Sequence, residues 1–265
     1  MLHLAYLGVD ALLRLSNGVN AIPTLPEGPR CVCTGCVYWK ITSKPFPLVP
    51  DSSRATSILE IIQSDIAGPI DPVSRGGSPY LLLFMDDFTR YKVGYTLKKN
   101  SEALKCFKGY KVRVETQHGL HLEKPWTDAG GEYTSNEFCH FLHEEGIEAQ
   151  RMTPYTPQSN GVCQSANRTI IGTTHLLIQA ICGPKEFWAE AAMTAIYDRN
   201  RLPTKWLESG TTPYERWFGK NVSYGNLRVW GCVAVTGLFL SNENTIGPAV
   251  DLLTLVLREA SRDRR

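Results

Sequence analysis

The stretch Ile58-Leu59-Glu60-Ile61-Ile62-Gln63-Ser64-Asp65-Ile66-Ala67-Gly68-Pro69 opens the part of the chain whose architecture can be read from its residues. Residues 58–65 form a strand-like run that ends at an acid, and Gly68-Pro69 marks a turn. Working outward, Tyr80-Leu81-Leu82-Leu83-Phe84-Met85 is an apolar run of strand length. Asp86-Asp87 turns the chain into a third strand, Tyr91 to Leu97, and the two predict a hairpin. A helix follows from Ser101, because Ala103, Phe107, Tyr110 and Val114 recur at helical spacing and Gly119 stops it. A short strand leads through Trp126 to Asp128. Thr134 and Glu137 form a capping box for the next helix, which turns Phe138, Phe141 and Leu142 inward and has Gly146 at its C-terminal cap. Ile147 to Met152 reads as a fifth strand. Prolines keep residues 153–161 out of a helix. A long helix then runs from about Val162 to Ala180. Another starts near Pro184 and ends before Pro203, buried through Phe187, Trp188, Ala191, Ala192, Ala195 and Ile196. The order predicts an α/β fold, a mixed five-stranded sheet flanked by helices.

Composition agrees with a folded domain. The chain has 265 residues, 43% hydrophobic and 20% charged, enough to bury a core without staples. No apolar run approaches the roughly 20 residues that a membrane span needs. Asp10 and Arg14 interrupt the apolar N-terminus, which argues against a signal peptide. The expected location is therefore intracellular, nuclear or cytoplasmic, and not secreted. The eight cysteines then point to reduced thiols or a metal site rather than a disulfide framework. Net charge is +2 and says little about partners. Between Phe88 and His118, however, lie Arg90, Lys92, Lys98, Lys99, Lys105, Lys108, Lys111 and Arg113 against only Glu102 and Glu115. Such a stretch either meets phosphate or forms a solvated face.

Asp65 and Asp128 each end a predicted strand and each is followed closely by glycine, Gly68 and Gly130-Gly131. An Asp in that place can be a turn residue. It can also be one of the carboxylates that phosphoryl transfer on nucleic acids uses to hold divalent ions about 3.5–4 Å apart. Magnesium favours hard anionic oxygen ligands, so such sites are built from carboxylates.

Several ordered blocks resemble the integrases of copia-type retrotransposons. Ser64-Asp65-Ile66-Ala67-Gly68-Pro69 resembles their first catalytic motif, and Phe84-Met85-Asp86-Asp87-Phe88-Thr89-Arg90-Tyr91 the hairpin after it. Thr127-Asp128-Ala129-Gly130-Gly131-Glu132-Tyr133 resembles the second catalytic motif, and Pro154-Tyr155-Thr156-Pro157-Gln158-Ser159-Asn160-Gly161-Val162 the active-site loop. Asn167-Arg168-Thr169, Phe187-Trp188, Pro213-Tyr214 and Leu227-Arg228-Val229-Trp230-Gly231-Cys232 also fit. The resemblance implies a ribonuclease-H-like fold. It also implies an enzyme that trims element-DNA ends and joins them to target DNA with two Asp and one Glu, using Mg²⁺ or Mn²⁺ and working as a homo-oligomer. It places the Glu at position 164, where this sequence has Gln164, and no Asp or Glu occurs between Glu148 and Glu186. The implied catalytic set is therefore Asp65, Asp128 and Gln164, with Asp65 and Asp128 as metal ligands. An amide oxygen brings no net charge, so metal binding and joining should be impaired. Tyr155, Gln158 and Asn160 of the loop, with Arg168 one turn beyond Gln164, are the implied DNA contacts. The other reading has Tyr155 packing and Arg168 as a solvated charge.

Cys33-Thr34-Gly35-Cys36 has the spacing of half a zinc site. The family arrangement places two histidines upstream, at about Met1 and Tyr6, and neither position holds one. Three readings stay open: a decayed zinc module, a site completed by His3 or Cys31, and no metal history. His140 and His143 fit a helix surface. Cys106, Cys139, Cys163, Cys182 and Cys232 fit small core or boundary positions. The expected organisation is a zinc-module remnant over 1–50, an integrase core over 55–225, and an extension over 226–265 that leaves the family pattern after about Phe239. Both ends read as those of a fragment of a longer polyprotein. Two functional readings follow, an integrase-type protein for DNA integration and a non-catalytic nucleic-acid-binding relic or host-reused protein of the same fold.

Overall fold

A computed structural model describes residues 54–127, 136–147, 150–151, 161–208, 210–225 and 227–232. The expectations for residues 1–50, for Thr134 and for the tail beyond 232 lie outside these. Five strands form one mixed sheet: β1 (Ile61–Ala67), β2 (Tyr80–Asp86), β3 (Lys92–Leu97), β4 (Lys124–Thr127) and the two-residue β5 (Gln150–Arg151), in the order β3-β2-β1-β4-β5. The hairpin pairs β2 and β3 antiparallel, and β1 is antiparallel to β2. Both β1 with β4 and β4 with β5 are parallel. The helices among the described residues are α1 (Ala103–His118), α2 (Asn136–Glu144), α3 (Gly161–Ala180), α4 (Trp188–Arg201) and α5 (Pro213–Phe218).

Alternation along the strands splits the core in two. Leu81, Leu83 and Met85 of β2 face α3 and α4, where they meet Cys163, Ile170, Leu177, Trp188, Ala192 and Ala195. Ile62, Leu82, Phe84 and Leu97 face the other way, onto Phe107, Tyr110 and Val114 of α1 and onto Phe138 and Leu142 of α2. The Phe84 ring stacks on Tyr110 with centroids 4.7 Å apart. The inner face expected for α1 is thus buried, and Gly119 ends the helix in the left-handed region (φ 65°), its amide donating to the Glu115 carbonyl. Gly146 likewise adopts φ 65° after α2, the conformation a glycine cap supplies without Cβ strain.

Some boundaries move. The first strand begins at Ile61, not Ile58. The Glu60 carboxylate takes the Thr56 and Ser57 amides and Leu59 sits at φ 65°, so residues 56–60 close a turn before the strand can start. The strand also runs on to Ala67, so Asp65 lies inside β1 and not at its end. Among the described residues of the expected fifth strand, Gln150–Arg151 is extended and Ile147 is buried ahead of it. Phe187 belongs to a short 3-10 turn before α4 and is only half-buried, with Arg75 over its ring. Helix α5 was not foreseen. Thr212 caps it by accepting the Glu215 amide while the Glu215 carboxylate takes the Thr212 amide. Cys163 is buried and Cys106 and Cys139 are half-buried as expected, but Cys182 and Cys232 are exposed.

Candidate active site

Along β1, alternate residues Gln63 and Asp65 point to the α3 side, because their register partners are Met85 and Leu83 of that core. Asp65 is 9% exposed. A carboxylate so placed needs donors, and α3 supplies one. The Asn167 Nδ2 donates to Asp65 Oδ2 at 2.7 Å and lies 3.3 Å from the Asp65 carbonyl. Asn167 occupies the buried stripe that includes Cys163, Ile170 and Thr174, which explains how a helix lying across β1 brings a polar side chain to the acid. Gln164, three residues earlier on α3, and Arg168, next to Asn167, are exposed. Residues three and four apart on a helix share a side, so Gln164, Asn167 and Arg168 line the edge of α3 beside Asp65.

The second acid is approached through register. Thr127, the last residue of β4, pairs with Ser64, the residue before Asp65, in parallel alignment. Asp128 itself lies outside the described residues, as do Tyr155, Gln158 and Asn160 and the cysteine motif residues Cys33, Cys36 and His3. Among the described residues no three His, Cys, Asp or Glu side chains group as metal ligands. Within that part of the site, Asp65 is the carboxylate, and one of its oxygens is already bound to Asn167. With Asp128 the donor set would hold two carboxylates and the neutral amide of Gln164, a set that fits one hard divalent ion better than two.

Asp86 and Asp87 of the hairpin motif take a different part. Asp86 accepts the Leu59 amide, the Thr89 amide and the Thr89 hydroxyl at 2.7–2.9 Å. Burial pushes its carboxyl up, and the Thr89 bonds oppose that. Asp87 accepts Gln63 Nε2 and Arg90 Nη1, both at 2.7 Å. These acids close the hairpin and join it to the start of β1, at the opposite end of that strand from its glycine turn.

The basic stretch of residues 90–113 is not one face. Arg90 is buried on Asp87. Lys111 is buried between Glu115 and Glu145, 2.9 Å from each. Lys92 donates to the Arg90 carbonyl, and burial, with Arg199 and Arg90 nearby, pushes its ammonium down to about 7. Lys98 and Lys99 are exposed in the turn before α1. His140 and His143 are exposed on α2, with His140 3.3 Å from Glu144. Sequence reasoning missed the role of Asn167. The signal was present, since a polar residue sits at a core position of the α3 period.

Comparison with known proteins agrees with the fold. A family profile described as "Integrase core domain" matches residues 55–157. The chain is 37% identical over 202 residues to the retrovirus-related Pol polyprotein from transposon TNT 1-94 of Nicotiana tabacum, covering 76% of this chain and 15% of that protein. It is 31% identical over 215 residues to the corresponding polyprotein from transposon RE1 of Arabidopsis thaliana, covering 81% of this chain and 14% of the relative. A chain of the cryo-EM structure of the simian T-cell lymphotropic virus intasome in complex with PP2A regulatory subunit B56 gamma shares the fold. Its TM-score is 0.50 at 20% identity, covering 62% of this chain and 56% of that one. The fold and the profile match are those of an integrase core of the ribonuclease-H-like class. Within that class the chain belongs with the integrases of copia-type retrotransposons, and it spans about 15% of the length of the curated relatives it matches.

Proposed function

We propose that this chain is a DNA-integration core, for joining element-DNA ends to target DNA, whose centre lacks one carboxylate and is catalytically impaired. The observation that carries the reading is the edge of α3: Asn167 holds Asp65 at 2.7 Å, and the neighbouring position 164 on that side presents a neutral amide. Joining a DNA end requires a hydroxyl to attack a phosphodiester in line with its leaving oxygen. Divalent ions, when bound, supply charge neutralisation and activation of the attacking oxygen. This chain's own residues set the stage. Asp65 is fixed by a rigid strand and by the Asn167 donor, and Asp128 is the next residue in sequence after Thr127, which pairs with Ser64. Gln164 can accept a hydrogen bond but adds no negative charge, so the residues here would compensate a second cation less well. Arg168, exposed on α3, offers a guanidinium to a DNA phosphate.

The test is an end-joining assay on a short duplex with Mg²⁺ or Mn²⁺, comparing the chain with its Gln164→Glu variant. The variant should join ends at least tenfold faster, with the gain dependent on the metal. Joining by the unaltered chain as fast as by the variant would overturn the impairment.

A further inference from the structure

The turn after α3 meets the segment 227–232, which follows α5 in the chain. A Cβ placed on Gly231 would lie 2.5 Å from Ile181 Cγ2 and 3.1 Å from Ile181 Cδ1, and one placed on Gly183 would lie 2.9 Å from that same Cδ1. Side-chain carbons do not tolerate contacts under 3.0 Å, so glycine at 183 and 231 is what lets the two backbones close on Ile181. Ile181 and Gly183 are the chain neighbours of Cys182, and Gly231 is the residue before Cys232. The residues on either side of one cysteine and the residue before the other thus gather round a single methyl group.

Burial sets the direction in which each segment leaves this contact. Ile178 on α3 and Trp230 on the other segment are both buried in the core that β2 shares with α3 and α4. Beyond the Ile181–Gly231 contact both segments come to the surface, and Cys182 and Cys232 are exposed. Among the described cysteines, Cys163 is buried and Cys106 and Cys139 are half-buried, so these two thiols are the ones a dissolved oxidant meets first. Cys182 adopts φ 49° and Gly231 φ 76°. The left-handed region disfavours a side chain. Glycine would serve the Cys182 turn with less strain, yet a thiol stands there.

We propose that Cys182 and Cys232 form a reversible disulfide that fastens residues 227–232 to the α3–α4 turn when the surrounding thiol pool is oxidised. The oxidant is a small disulfide such as oxidised glutathione. One cysteine thiolate attacks a sulfur of that disulfide. The sulfur–sulfur bond breaks, a mixed disulfide forms, and one glutathione thiolate leaves and takes a proton. The second cysteine gives its proton to water and attacks the protein sulfur of the mixed disulfide. That expels the second glutathione thiolate, which is protonated in turn. Two protein thiols are oxidised to one disulfide, and one glutathione disulfide is reduced to two thiols. Excess reduced glutathione runs the same steps backwards. The closed loop contains α4 and α5, so the bond restricts the unfolded chain and stabilises the fold.

The test equilibrates the full chain with glutathione at graded ratios of oxidised to reduced form, blocks the remaining thiols, and maps disulfide-linked peptides by mass spectrometry. Thermal unfolding is followed in parallel for the unaltered chain, Cys182→Ser and Cys232→Ser. Peptides joined through 182 and 232 should be the main disulfide product of the folded protein and should separate again in dithiothreitol. In concentrated urea that pair should lose its lead over the other cysteine pairs. Oxidation should raise the melting temperature of the unaltered chain by about 5 °C or more and move either serine variant by less than about 2 °C. Separate glutathione adducts on the two cysteines, a bond from either to any other cysteine, or chains linked to each other as the main product overturn the pairing. The same preference for the 182–232 pair in urea shows that the fold does not bring the thiols together and also overturns it. A joined pair with no rise in melting temperature overturns the fastening.

Discussion

At the scale of single residues, Asp65 depends on a neighbour that carries no charge. Its buried carboxylate accepts Asn167 Nδ2 at 2.7 Å, and a buried acceptor deprived of its donor costs about 1–3 kcal/mol. Asn167→Ala should therefore lower stability by about 1–2 kcal/mol in chemical denaturation, a value that includes the lost packing of a side chain only 3% exposed. In a Gln164→Glu background the same change should lower end joining by at least tenfold with little effect on duplex binding, because it removes one donor to Asp65 without touching the basic residues. Unchanged joining would show that Asn167 serves α3 packing alone. The place of Asp65 on the first strand was legible from the apolar run before it, although the strand runs on to Ala67 and the acid lies inside it. The Asn167 contact was not legible, since it joins residues 102 positions apart and only the crossing of α3 over β1 creates it.

At the scale of elements, α4 lies on the hairpin where the chain removed a side chain to admit it. A Cβ on Gly94 of β3 would collide with Ile196 Cδ1 and press on Met193 Sδ at 3.4 Å. Gly94→Ala should cost about 1–3 kcal/mol, the usual range for overpacking a filled core, and Ile196→Val in the same chain should recover part of it. Losses that simply add would show that the two sites do not touch. The start of α5 is a simpler joint. Thr212 caps it reciprocally with Glu215, and Thr212→Ala should cost about 1 kcal/mol, read as a lower melting temperature. The hairpin and α1 could be read from periodicity because burial on one face writes a repeat into the sequence. The early strand start was misread because Ile58 and Leu59 are as apolar as the strand itself, and the Glu60 turn that excludes them works through backbone amides. Helix α5 carried its signal openly, a Thr-Pro-Tyr-Glu cap at 212–215, but six residues are too few to show a helical period.

At the scale of the whole molecule, the buried Asp198 and the half-buried Lys92 set opposing pH dependences. Asp198 on α4 is pushed up to about 7 by burial, against the pull of Arg201 and Arg199. Lys92 is pushed down to about 7 by burial and by Arg199 and Arg90. Between the usual Asp value of 3.8 and about 7, the folded state holds a proton on Asp198 that the unfolded chain has released, so its contribution to stability falls as pH rises. Between about 7 and the usual Lys value of 10.5, the unfolded chain holds a proton on Lys92 that the folded state has released, so its contribution rises with pH. Together the two groups weaken the fold most near neutrality. Asp198→Asn should stabilise the protein relative to the unaltered chain by a margin that grows from pH 4 to pH 7 and then levels, while Lys92→Met should gain a margin that shrinks from pH 7 to pH 10. Each should reach on the order of 1–2 kcal/mol near pH 7, since one pKa unit corresponds to about 1.4 kcal/mol and part of the gain is lost with the groups' own hydrogen bonds. Urea titrations of the three proteins across this range read the margins directly. Margins independent of pH would mean that both side chains keep their ordinary ionisation in the fold, and that the α4 side of the sheet is wetter than its packing indicates.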